Sequence, residues 1–280
     1  MRILVSGASI AGPVLAYWLV RHGFCVTVVE RAPTLRKTGG HTVDLFRPAM
    51  NISEKMGVLP RIEERATGTN RMTVHQERAR RPVRVDLSKI FNATSDRHVE
   101  IMRDDLSEIY YDAARDDVEY IFGDSITAIS PDGEVRFENA APRRFDLVVG
   151  ADGLHSNVRR LTFGDESRFS AFIGAYLGVL TWPNLSGLDS ELLIHVGVGR
   201  TVGTYGARHL GDARPCSCSG ASASSTITTT TCPGRRSCCA LRSTACTLTW
   251  TAGWTSSAAP RRSTSTRSPS SVWTPGHGGG

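Results

Sequence analysis

Three small residues, Gly7, Ser9 and Gly12, stand at the spacing of a turn that holds a pyrophosphate, and Glu30 follows where an acid can receive a ribose hydroxyl. In such a turn the first small residue permits the tight bend, and the second lets backbone approach the phosphates. The third lets helix and strand pack closely. The anion rests on the helix start, where unpaired N–H groups and the helix dipole both favour negative charge. Ser9 occupies a position where glycine is usual, but it is small and its hydroxyl can itself face a phosphate. The plain alternative is a glycine-rich turn without a ligand, with Glu30 a solvated acid at a strand end.

A second string, Gly150-Ala151-Asp152-Gly153-x-x-Ser156-x-x-Arg159, follows an apolar run. By itself an Asp-Gly pair after a strand reads as a turn. Arg103 opens a helical stretch, where the plain reading is a weak surface pair with Asp104 or Asp105. His41, His75, His98, His155 and His195 lack metal-ligand spacing and read as structural or surface residues, so no metal site is expected.

The elements that must carry these residues follow from periodicity. Residues 3–6 are a short apolar run ending at Gly7, as in a buried parallel strand. Residues 11–22 have helical spacing, and Gly23 sits where a helix end takes a positive φ. Residues 25–30 form a second strand, completing a βαβ unit. Residues 71–74 and 83–87 read as strands of a separate antiparallel layer, and 103–114 as a helix with Leu106, Ile109 and Tyr110 on one face. Short strands are expected at 118–122, 125–129 and 134–138, and a buried strand at 145–149 runs into the second string. A helix resumes near Ser156. Residues 171–182, 192–198 and 201–207 have the composition of long strands.

Composition divides the chain after Asp212. The formal charge of +6 would invite an anionic partner, yet Lys+Arg and Asp+Glu nearly balance across residues 1–212, with acids one ahead. All the excess lies beyond, in seven arginines with no acid, so nucleic-acid binding is not expected. Cys25 is the one thiol of the front part, which fits a reducing cytoplasm. Six cysteines crowd the remainder at irregular spacing with only His277 beside them, a pattern of neither zinc nor disulfides. The apolar start is interrupted by Gly7, Ser9, Gly12 and Pro13, so neither a signal peptide nor a membrane span is expected.

From Ala213 onward there is no Asp, Glu, Lys, Asn, Gln, Met, Phe or Tyr. Apart from Ile227, Leu241, Leu248, Val272 and His277, every position there is Ser, Pro, Thr, Ala, Cys, Trp, Arg or Gly. Those are the amino acids whose codons carry C or G at the middle base. A GC-rich gene read one nucleotide out of register produces this bias. Under that reading Cys216, Ser217, Cys218 and Ser219 mask four consecutive apolar residues, and residues 263–266 mask strand-like alternation. Residues 213–280 are therefore expected to be an aberrant, frameshifted and disordered tail. The alternative is a native Ser/Thr-rich segment.

With its N-terminal fingerprint, Glu30-Arg31, Arg103 at a helix start and the G-A-D-G-x-x-S-x-x-R string, the chain resembles the FAD-dependent class A monooxygenases, which include aromatic hydroxylases and tetracycline-inactivating oxygenases. The resemblance spans residues 1–212. It implies an α/β fold with a Rossmann-like FAD-binding domain in residues 1–70 and 96–165. Interleaved with it is an α+β substrate domain on an antiparallel sheet, in residues 71–95 and 166–212. It implies that Gly7, Ser9, Ala11 and Gly12 cradle the FAD pyrophosphate, that Glu30 holds the ribose and that Arg31 lies near the adenine side. Arg103 would reach the flavin, Asp152 would support FAD and pyridine-nucleotide positioning, and Asp44 would line the flavin or substrate side. In such enzymes NADPH or NADH reduces the flavin, O₂ adds, and a flavin hydroperoxide hydroxylates an aromatic, polycyclic or polyketide-like small molecule. The family's third motif, a Gly-Asp pair on a strand that follows the substrate domain, has no counterpart beyond residue 212, from which weak FAD retention is expected. Two alternatives stay open: a non-catalytic remnant of such an enzyme, and an NAD(P)-dependent dehydrogenase using the same βαβ unit.

Overall fold

A computed structural model describes residues 1–35, 40–180, 182–184, 187–206 and 212–220, together with four short strands beyond residue 224. Strand β1 (Arg2–Ser6), helix α1 (Ala11–Arg21) and strand β2 (Cys25–Glu30) form the expected βαβ unit. α1 ends shortly before Gly23, whose φ of +80° suits glycine. The chain continues through β3 (Thr42–Phe46), α2 (Arg47–Lys55), α3 (Leu59–Glu64), β4 (Arg71–Gln76), β5 (Val83–Asp86), α4 (Leu87–Thr94) and β6 (His98–Met102). Next come α5 (Arg103–Ala114), β7 (Glu119–Phe122), β8 (Ile126–Ile129), β9 (Glu134–Phe137), β10 (Arg143–Arg144), β11 (Leu147–Gly150) and α6 (Asn157–Phe163). The first compact unit, Met1–Ser224, closes with β12 (Ala175–Val179), β13 (Trp182–Pro183), β14 (Glu191–Gly197), β15 (Arg200–Gly206) and β16 (Asp212–Gly220).

β11, β1, β2 and β7 make a parallel sheet in that order. Alternation along β1 sends Ile3 and Val5 into a core shared with Val28, Ile62, Ile101 and Ile109, while Leu4 points to the other face. There it meets Val29, Ile126, Val135, Phe137, Phe145 and Val158, contributed largely by the small sheet β10-β9-β8 and by α6. Burial on both faces is why β1 and β2 read as continuous apolar runs.

A seven-stranded sheet runs β12-β16-β15-β14-β4-β5, with β13 also on β16. It unites strands from residues 71–86 with strands from residues 175–220, so the chain threads one sheet twice, visiting the parallel sheet in the interval. Its pairs are antiparallel except β4 with β14, which are parallel. That exception follows from the route: after β5 the chain passes through the other layer and re-enters in the direction of β4. A two-stranded ribbon, β3 with β6, belongs to neither larger sheet.

Several expectations shift. β12 begins only after Gly174, whose φ is +93°, so the long strand expected from residue 171 is shorter. Phe145 precedes β11 yet is buried, which explains its apolar character. The sheet also extends past Asp212, because β16 has backbone partners on both sides, in β15 and β12, and a ladder of N–H and C=O groups needs no particular side chains. The remaining expectation of disorder falls on residues outside those described. The exceptions, in the second unit, Ser225–Gly280, are β17 (Thr228–Thr230) paired with β18 (Cys238–Ala240) and β19 (Arg242–Ser243) paired with β20 (Cys246–Thr247). No helix among the described residues is long and apolar enough to cross a membrane.

Candidate functional site

The turn after β1 is built by what its glycines lack. Gly7 has φ +107°, and a Cβ there would lie 2.5 Å from the Ala151 carbonyl oxygen. A Cβ on Gly12 would collide with the carbonyl of Gly7. The Gly7 N–H donates to the Val29 carbonyl at 2.8 Å, fixing the turn against β2. α1 then starts at Ala11 with no side-chain cap at Ile10 and no acid in its first turn, so no side chain of its own takes up the N–H groups at its positive end.

Glu30 holds this loop from the neighbouring strand. One carboxylate oxygen accepts from the Ala8 N–H at 2.8 Å and the other from the Ala32 N–H at 2.9 Å. A carboxylate has further lone pairs, so hydroxyl donors can still reach it. Arg31 follows directly and is exposed.

Ser9 is held by α5. The Arg103 guanidinium donates to the Ser9 hydroxyl at 3.2 Å, and the Ser107 hydroxyl donates to the Ser9 carbonyl at 2.9 Å. The plain reading of Arg103 as a partner of Asp104 or Asp105 is thereby replaced. Asp105 instead receives Arg65 at 3.4 Å, and Asp104 receives the Gly40 N–H at 3.2 Å. The Arg103 N–H donates to the His41 carbonyl at 3.0 Å, so the Gly40–His41 stretch is strapped onto the start of α5. Ser107 lies outside the set expected from the sequence, since a serine inside a helix carries no signal of its own.

Asp152 turns inward. Its carboxylate accepts from the N–H groups of Asn157 at 2.8 Å and Val158 at 3.0 Å, from the Ser156 hydroxyl, and from the Ser6 hydroxyl at 3.4 Å. It binds the start of α6 and joins the β11–α6 turn to β1. Ser156, from the same string, accepts from the Arg159 N–H at 3.0 Å, and the Arg159 side chain donates to the Leu154 carbonyl at 2.6 Å.

Asp44, on β3, binds His98 Nε2 at 2.7 Å, and the His98 ring stacks on Phe91 with centroids 3.9 Å apart. The β3 ribbon and the seven-stranded sheet meet at Tyr205 of β15, whose hydroxyl accepts from the Thr42 N–H at 2.9 Å. Burial, followed by lesser effects, pushes the Tyr205 phenol up to about 12. Of the scattered histidines, His75 and His195 are brought together as register partners on β4 and β14, their rings stacked at 4.9 Å.

Residues 1–181 match the FAD binding domain family. The chain is 42% identical over 226 residues to protein Rv1260 of Mycobacterium tuberculosis (strain ATCC 25618 / H37Rv), a match covering 76% of this chain and 58% of the relative. It is 34% identical over 200 residues to a flavin-dependent monooxygenase of Legionella longbeachae serogroup 1 (strain NSW150), covering 68% of this chain and 49% of that protein. Among solved structures it is similar to tetracycline destructase Tet(51), with a TM-score of 0.68, 31% identity, and coverage of 79% of this chain and 57% of the other. The chain thus spans about half the length of the relatives it matches.

Proposed function

We propose a function from the premise that this chain belongs to the FAD binding domain family of the class A flavoprotein monooxygenases: it binds FAD across the β1–α1 turn. The carrying observation is the uncapped start of α1 beneath a turn that Gly7 and Gly12 strip of side chains, because a pyrophosphate needs N–H donors and close backbone approach together. The residues present fit that group. Gly7, Ser9, Ala11 and Gly12 take the pyrophosphate, Glu30 receives ribose hydroxyls through its remaining lone pairs, and Arg31 lies on the adenine side. Arg103, anchored on Ser9, would reach the flavin. Asp152 acts by holding the β11–α6 turn against Gly7 rather than by touching the cofactor, since its oxygens already carry four donors.

When bound, FAD would accept a hydride from NADPH or NADH and activate O₂, so that one oxygen atom passes to a small molecule and the other leaves as water. The protein's part is to orient the substrate and exclude water. We assign that part to the face of the seven-stranded sheet carrying Tyr205 and to the β3 segment carrying Asp44, which the Thr42–Tyr205 hydrogen bond joins. The likeness to a tetracycline destructase supports an aromatic or polycyclic substrate class. Cys25 as the one thiol of residues 1–212 supports a cytoplasmic location.

Titrating the purified chain with FAD, followed by flavin fluorescence, tests the proposal. Reversible weak binding at one site is expected, and no binding at millimolar FAD sinks it. Stoichiometric FAD surviving purification would keep the site but overturn the expectation of weak retention. NADPH oxidation with aromatic substrates then separates an active oxygenase from a non-catalytic FAD-binding remnant.

A further inference from the structure

One end of the seven-stranded sheet collects arginines and bare aliphatic side chains. Its pairings fix which chain segments meet there. Gln76 lies beside Val196, and the Glu77 N–H donates to the Val196 carbonyl at 3.0 Å. Arg200 lies beside Ser219, and Ser219 beside Tyr176. The β4–β5 turn, the β14–β15 turn and the approach to β12 therefore share one rim. Six strands at ordinary spacing make that rim about 24 Å long.

Arg78, Arg80 and Arg81 stand on the first turn, all exposed, and none forms an ion pair among the described residues. The nearby acid, Glu77, is taken by Arg200 at 3.2 Å. Val83 beside them is half exposed, Val198 on the second turn is 84% exposed, and Ile173, just before β12, is 91% exposed. A single exposed aliphatic residue is ordinary. Three on one rim, interleaved with three unpaired arginines, match the two forces at a bilayer surface: attraction to anionic headgroups and burial of apolar groups at the headgroup boundary.

We propose that this rim docks the protein, without spanning, on a bilayer surface rich in anionic phospholipid. The positive charge is local, because residues 1–212 together carry one more acid than base. Aliphatic tips gain nothing against a phosphate backbone, and Phe172, the exposed aromatic beside Ile173, packs against Tyr176 at 4.9 Å, whereas single-stranded nucleic acid is gripped by a succession of aromatic platforms. Docking of this kind does not depend on FAD binding.

The test is co-sedimentation of the full 280-residue chain with vesicles of phosphatidylcholine and phosphatidylserine at about 2:1, against vesicles of phosphatidylcholine alone. Wild type is expected to bind only the anionic vesicles and to be released by salt. The R78Q/R80Q/R81Q variant should bind about a hundredfold more weakly. The I173S/V198S pair should lose about tenfold, the size expected for withdrawing about two methyl groups from the headgroup boundary. All five positions are exposed, so melting curves should be unchanged. Wild type remaining in the supernatant with anionic vesicles overturns the proposal. So does undiminished binding by the triple arginine variant, which would assign the attraction to the arginines beyond residue 213. Equal binding of a DNA duplex, lost in the same variant, would make the rim a nucleic-acid site instead.

Discussion

The carbonyl oxygen of Ala151 stands 2.5 Å from the point where a side chain on Gly7 would begin, so the two glycine-rich strings of the chain are interlocked parts of one structure. Gly7 also has φ +107°, a region costly for any residue with a Cβ. Gly7→Ala is expected to destabilise the fold by about 1–3 kcal/mol and to abolish FAD binding. Thermal melting with and without FAD checks both, and an unchanged melting temperature would show that the two loops separate freely.

Arg103 gives a subtler expectation. It is exposed and bonds Ser9 by one charge-assisted contact, so Arg103→Ala should leave stability intact while weakening FAD about tenfold. Fluorescence titration of the variant decides it. Equal affinity would return Arg103 to the role of a surface residue.

Asp124 ties the loop after β7 to the start of the segment beyond β9. Its carboxylate accepts from the N–H groups of Ser125 at 2.7 Å, Glu138 at 3.0 Å, Asn139 at 3.0 Å and Ala140 at 2.8 Å. Burial alone would push its pKa up, but these four donors together outweigh burial and hold it below the usual carboxylate range. A folded value below the unfolded one means the stabilisation is complete above the unfolded pKa of about 3.9 and is lost as pH falls through the folded value. Asp124→Asn should cost about 1–3 kcal/mol at neutral pH and flatten the acid limb of a stability–pH curve. An unchanged acid limb would reject the assignment.

At the alkaline end Tyr205 behaves oppositely. Burial leads the causes that lift its phenol to about 12, so stability from this residue is whole below about pH 10, the unfolded value, and is lost as pH rises toward 12. Tyr205→Phe should remove that alkaline loss and cost about 1 kcal/mol at neutral pH through the missing acceptor for Thr42. Denaturant melts between pH 8 and 12 measure it.

For the residues from Ala213 onward, resequencing the coding DNA from codon 205 is expected to reveal a single-base change that restores Asp, Glu, Phe and Tyr. A confirmed sequence would instead make the Ser/Thr/Arg/Cys composition native.

The parts of this fold legible in the sequence are those where one physical rule acts alone. β1, α1 and β2 follow from burial on both faces and a glycine at each turn, and α5 from its stripe of Leu106, Ile109 and Tyr110. α2 and α4 escape such a reading because they bury little, only Met50 and Ser53 in one and Leu87 in the other. β3 and β6 place Leu45 and Ile101 inward, but each strand is short and pairs with a partner far away along the chain. At the site, Glu30 and the glycines are readable from spacing. Ser107 and the inward role of Asp152 are not, since both depend on which helix arrives beside the turn.

β16 has one further consequence. In the strand order β12-β16-β15, it is the bridge by which β12 joins the rest of the sheet. Without Asp212–Gly220, β12 would lose its partner and β15 would present a row of unsatisfied N–H and C=O groups to solvent. Such a row is a template for another chain's strand, and on β15 it is covered by a strand that takes no part in the glycine-rich turn.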